Sequence, residues 1–228
     1  MFLGHYAIAF AAKRAAPRTS LGALTFAAQF LDELWPVFLL LGVERVRIVP
    51  GLMAASPLDF VHYPFSHSLL AAALWGMLIG AFYYAVRRYG RGALVLAGLV
   101  VSHWFLDVPM HRPDLPLYPG SRVLVGAGLW GSVPLTVAIE LVLFVLGLAI
   151  YVRATRAVDA IGRWGLWLMV ATLALIFLGS LESAPPPSEH ALALSALGLW
   201  LFIPWSWWVD RHRETTGLHS AAQAAFSA

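Results

Sequence analysis

The chain contains no cysteine. That excludes disulfides, thiolate metal sites and cysteine nucleophiles, so any metal must be held by nitrogen and oxygen. Charge is also scarce. Only 12% of the 228 residues are charged, 60% are hydrophobic, and the mean hydropathy is +0.75. Soluble domains carry about a quarter charged residues, so an ordinary soluble fold is excluded and an integral membrane protein expected. No Lys or Arg precedes the first apolar stretch; Lys13-Arg14 follows it, against the order of a secretory signal peptide, so the first helix is expected to be retained. The net charge of +3 is small, and the basic residues lie between apolar segments. That pattern reads as membrane topology, with no nucleic-acid partner.

What is present in abundance is helix-length apolar sequence. Residues 2–14 read as a short helix, too short to span. Six longer segments follow, at about 20–42, 67–86, 92–110, 131–152, 164–181 and 190–209. The fold class expected is all-α: a polytopic transmembrane bundle of about six spanning helices plus a short N-terminal one. Residues 43–66 and 111–130 read as Pro- and Gly-containing loops, the first ordered only in part. Residues 1–155 read as a core, 156–213 as an added hairpin and 214–228 as a disordered tail. Ten tryptophans suit interfacial belts, and Trp205-Ser206-Trp207-Trp208 before Arg211 reads as an anchor. With the N-terminus inside, Lys13, Arg14, Arg18, Arg87, Arg88, Arg91, Arg153, Arg156, Arg163, Arg211 and Arg213 share one side, against Arg45, Arg47, Arg112 and Arg122 on the other. The positive-inside rule then predicts an inner (plasma) membrane protein with both termini cytoplasmic and the two long loops outside.

Several residues of metal-ligand type interrupt the apolar text. Ionisable groups at membrane depth are costly and mark function by default. His103 and Asp107 have the i,i+4 spacing that aims both at one spot. Helix rise places Asp32 about 21 Å above Arg18, His103 and Asp107 about 18 and 24 Å above Arg91, and Glu140 about 20 Å above Arg153. His67 falls higher, about 30 Å above Arg87, and His5 reaches about 16 Å if its helix folds back on the next. Pro36 and Pro109 bend two of the helices there. His5, Asp32, His67, His103 and Asp107 are therefore the predicted metal ligands, for one or two divalent ions. Zn²⁺ suits these donors best, with Mn²⁺ and Fe²⁺ as alternatives. A hydrogen-bonded His–Asp pair or a proton relay would use the same residues without metal. Glu33, Glu140 and His111 are the candidate catalytic acids and bases. His62, Arg112 and Arg122 are candidates for holding a substrate phosphate at the rim.

Gly4-His5, Phe30-Leu31-Asp32, His62 to Ser68 with the pattern H-x-x-x-x-H-S, and Ser102-His103 to Asp107 with the pattern S-H-x-x-x-D occur in that order. In this the chain resembles the YdjM-like bacterial inner-membrane proteins, described as membrane-bound metal-dependent hydrolases. That family is in turn thought to be related to zinc-dependent phospholipase C and P1-type nucleases. The resemblance implies the same five ligands. Three positions depart from the pattern: Leu31 stands where proline usually precedes the acid, Glu33 where a second aspartate usually follows it, and Tyr63 where arginine often follows the first histidine. The function expected is hydrolysis of a phosphoester or ester bond in a lipid-like substrate at the outer leaflet. An ion- or proton-coupled transporter and a non-catalytic, metal-tied scaffold are the alternatives.

Overall fold

The computed structural model describes residues 1–216. Helix α1 (Leu3–Ala15) is followed by α2 (Leu21–Leu40), α4 (Leu69–Arg87), α5 (Gly90–Met110) and α6 (Val133–Ala154). A π turn at Ile161–Gly165 runs into α7 (Leu166–Glu182); α8 (Glu189–Leu197) and α9 (Phe202–Arg211) are joined by a 3-10 turn at Gly198–Leu201. Six of these stretches are long and apolar enough to cross a membrane: α2, α4, α5, α6, Ile161–Glu182 and Glu189–Arg211. They match the six expected segments. Their starts obey local rules. Ser20, Ser68 and Ser188 cap α2, α4 and α8, each accepting the N–H three residues on at 3.1–3.2 Å. The 3-10 turn before α9 falls where Pro204 cannot donate to the preceding turn.

Helix α1 is short but central. Leu3, Tyr6, Ala7, Ala9 and Phe10 are at most 2% exposed. It packs between α2 and α6, which requires Gly147 on α6: a Cβ there would stand 2.2 Å from the Ala7 carbonyl oxygen. One apolar cluster joins α1, α2 and α5 through Ala9, Ala12, Leu24, Leu31, Leu96 and Val100. A second joins α1 to α6, α7 and α9 through Tyr6, Phe10, Phe144, Leu173 and Phe202. The last two spanning segments thus share a core with α1 and α6. At the end where most basic residues lie, Lys13 donates to Asp210 Oδ2 at 2.7 Å, while Leu21 N–H and Tyr151 O–H also donate to that carboxylate. Four helices meet there.

The 43–66 segment is more ordered than its prolines suggested. Strands β1 (Arg45–Ile48) and β2 (Leu58–His62) pair antiparallel. Pro50 and Pro57 lie in the connection, where no ladder donor is needed, and Pro64 opens the one-turn helix α3 (Pro64–His67). Val46 is fully buried and Phe60 packs on Trp35, which holds the hairpin against the helices. The 111–130 segment carries the two-residue strands β3 (Leu115–Pro116) and β4 (Leu124–Val125). Of the tail expected to be disordered from Glu214, Arg213–Thr215 forms β6 and pairs with β5 (Thr155–Ala157). Residues 217–228 of that tail lie outside the described residues.

Candidate metal centre

The five predicted ligands converge. His5 comes from α1, Asp32 from α2, His67 from α3, and His103 and Asp107 from one face of α5. His103 Nε2 lies 3.2 Å from Asp107 Oδ2 and 3.6 Å from Asp32 Oδ1. His67 Nε2 lies 3.4 Å from Asp32 Oδ1 and 3.9 Å from Asp107 Oδ2. His5 Nε2 approaches Asp107 Oδ1 at 3.2 Å, and its ring stacks on His103 with centroids 3.6 Å apart. The Met1 ammonium donates to Asp107 Oδ1 as well. Helix-rise counting put His67 above the others. It joins them because α4 begins only at Leu69, and the separate turn α3 lays His67 inward.

The hydrogen bonds around the ligands fix which nitrogen faces the cluster. His103 Nδ1 sits 2.8 Å from the Ala28 carbonyl, which can only accept, so Nδ1 carries the ring proton. Ser66 Oγ donates to Glu44 Oε2 at 2.6 Å and therefore accepts from His67 Nδ1 at 2.7 Å. When both rings are neutral, Nε2 is a bare lone pair aimed at two carboxylates, which are themselves acceptors. His103 Nε2 is buried and has no hydrogen-bond partner among the described residues. Four converging acceptors repel one another unless a proton or a metal cation lies between them. Their spacings of 3.2–3.9 Å suit one. Donors about 2.0–2.1 Å from a tetrahedral zinc stand about 3.3 Å apart. Two overlapping groups, His5/His103/Asp107 and Asp32/His67/His103, have the spacing to hold a metal ion.

Asp107 is buried, but the Asp32 side chain is 31% exposed. It borders a cavity of about 220 Å³, also lined by His67, Asp107, His111, Thr136 and Glu140. At about 30 Å³ per water, that is room for solvent and a reacting group beyond a bare ion. The opposite wall is apolar: Trp35, Phe60, Phe177, Leu181 and Leu199.

The other predicted site residues separate. His111 is on this cavity, with Nδ1 2.9 Å from Asp114 Oδ1. Burial pushes its pKa below the ordinary imidazole value, the nearby carboxylates opposing this only in part. Glu140 also reaches the cavity, but its two oxygens accept the N–H groups of Phe2 and Gly4 at 2.7 and 2.8 Å, holding the start of α1. A carboxylate so engaged anchors a helix N-terminus and is poorly free to act as a base. Glu33 is buried and does not line the cavity, being turned away from Asp32 around the helix. His62 is exposed on β2, outside the cluster, and Arg122 is exposed on the second loop. Arg112 donates to the carboxylates of Asp59 and Asp114, so it is not a free phosphate ligand.

Sequence reasoning missed four residues that hold the site in place. Glu44 accepts the N–H groups of Phe65 and Ser66, both at 2.8 Å, as well as the Ser66 hydroxyl; it fixes α3 and, through Ser66, His67. Tyr63 donates to Asp114 Oδ1 at 2.9 Å and backs His111. The i,i+3 spacing of His111 and Asp114 was a readable signal for that pair; nothing in the sequence joins Glu44 to Ser66.

No curated protein and no solved structure gave a match. The family profile described as YdjM inner membrane protein matches residues 1–184, the stretch that contains all five clustered His and Asp residues and the α1–α7 bundle around them. This chain belongs to the YdjM inner membrane protein family.

Proposed function

We propose that this protein is a membrane-embedded, metal-dependent hydrolase acting on a phosphoester or ester bond of a lipid-like substrate. The observation that carries the reading is the set of four acceptors, with imidazole tautomers fixed from behind, next to a cavity on which Asp32 is open. His67, His103, Asp32 and Asp107 would hold the ion, and His5 would orient Asp107. Because Ala28 occupies His103 Nδ1, only one lone pair of that ring is available, which favours one shared centre over two ions. Zn²⁺ fits the donor set best, with Mn²⁺ or Fe²⁺ next. A divalent ion there would polarise the phosphoryl or carbonyl oxygen and ease deprotonation of water.

The chain's own residues supply the rest. His111 has Nδ1 engaged by Asp114, so Nε2 is its free acceptor; it takes the proton of the attacking water and returns it to the leaving oxygen. The apolar wall from α7 and the 3-10 turn after α8 admits acyl chains while the scissile bond lies at Asp32. By the positive-inside rule the cavity opens away from the cytoplasm.

A second reading has its own support. Four protein donors at tetrahedral spacing would satisfy zinc by themselves, as in structural sites that only tie helices together. One experiment separates them: metal content and phospholipid or ester hydrolysis of the purified protein and of Asp32→Ala, His103→Ala and His111→Ala. The hydrolase reading expects about one ion per chain, lost in the first two variants, and activity lost in all three. Metal retained in both Asp32→Ala and His103→Ala refutes the ligand set. Bound metal without hydrolysis of any lipid or ester leaves the scaffold.

A further inference from the structure

A second site lies at the other end of the bundle. A cleft of about 420 Å³ opens between the start of α2, the last turns of α4 and the end of α9. Its charged lining is Lys13, Arg18, Arg87, Asp210 and Arg211. Lys13 and Asp210 pair with each other, nearly buried. That leaves three guanidinium groups with no carboxylate partner among the described residues. Arg18 lies over the Tyr89 ring and Arg211 over the Trp207 ring, each 4.6 Å from the centroid, and Arg87 is exposed. Stacking on a ring face leaves the in-plane N–H donors of a guanidinium free. Three such cations around one cleft concentrate positive potential and favour an anion between them.

The other wall decides what kind of anion. Phe82, Val86 and Trp207 line the same cleft and are 72%, 62% and 47% exposed, on helices long enough to span a membrane. A free phosphate would use only the guanidinium donors. An anionic phospholipid would use both, with its phosphate among the arginines and its acyl chains along the apolar wall. The cleft is also held in shape. Gly22 on α2 lets α9 approach so closely that a Cβ there would meet Trp207 Cβ at 2.5 Å.

We propose that Arg18, Arg87 and Arg211, with Phe82, Val86 and Trp207, form a binding site for one anionic phospholipid, separate from the metal centre and independent of its chemistry. The test is native mass spectrometry of the full chain with phosphatidylglycerol against phosphatidylcholine. Wild-type protein should retain one phosphatidylglycerol with a preference of about tenfold or more, since each basic contact near the membrane surface contributes about fivefold. Arg87→Gln/Arg211→Gln should abolish that preference, while Arg45→Gln/Arg122→Gln at the opposite end should leave it intact. Phe82→Ser should weaken retention with no change of charge. Soluble glycerol phosphate should not displace the lipid. Preference retained in the Arg87/Arg211 variant, equal loss in the Arg45/Arg122 control, or displacement by glycerol phosphate would each overturn the proposal.

Discussion

His67 shows how a single side chain depends on groups that lie outside the His/Asp cluster. Its Nδ1 proton is placed by Ser66, and Ser66 is placed by Glu44. Glu44→Gln keeps size and some hydrogen bonding but removes the charge that makes Ser66 donate, so the Ser66 hydroxyl can turn and His67 can present a proton to the cluster. Loss of such a backing partner typically weakens metal affinity about 10–100-fold. Competition titration with a chelator should show that loss in Glu44→Gln and in Ser66→Ala, with the fold unchanged by circular dichroism; wild-type affinity in both would remove Glu44 from the site. At this scale the residues that cluster were legible and their supports were not. Histidine and aspartate stand out within apolar sequence, and His103-x-x-x-Asp107 carries its geometry in its spacing. Glu44 sits in a loop rich in other charges, and its partner is 22 residues away across a hairpin whose pairing no local pattern specifies.

Among the elements, the spanning helices were legible because length and hydropathy decide them. What escaped was the short structure between them. Helix α3 is a single turn, below any periodic signal, yet it sets the depth of His67. Helix α1 was readable as a helix too short to span, but its place between α2 and α6 rests on Gly147, one small residue in a largely apolar segment. Gly147→Ala should force α1 and α6 apart and cost about 1–3 kcal/mol, read as a lower unfolding temperature in detergent; an unchanged midpoint would mean that α1 is not packed there. The Lys13–Asp210 pair ties the other end of α1 to α2, α6 and α9. Lys13→Met strands a nearly buried carboxylate and should cost about 3–5 kcal/mol. Adding Asp210→Asn removes that charge, so the double variant should be more stable than Lys13→Met alone. A double variant less stable than the single one would show that Asp210 acts through its other partners instead.

For the whole molecule, the candidate metal centre is where separate elements are joined: its five candidate ligands come from α1, α2, α3 and α5, and none from α6, α7, α8 or α9. An ion bound there would favour the assembled bundle over any state in which those helices part. At an ion concentration about 1,000 times its dissociation constant, the linkage is worth about 4 kcal/mol. Chelator should therefore lower the unfolding temperature of the purified protein in detergent, and re-addition of zinc should restore it. Asp32→Ala should already unfold at the chelated temperature and respond to neither treatment. The order of events also follows from the anatomy. The core that joins α1 to α6, α7 and α9 contains no ligand, so those helices should keep their contacts when the centre opens. Hydrogen exchange on the chelated protein should then rise first in α3, which carries His67, and in the β1–β2 hairpin, to whose start Glu44 ties it. Exchange rising uniformly over all helices would mean instead that the ion stabilises the bundle as one cooperative unit.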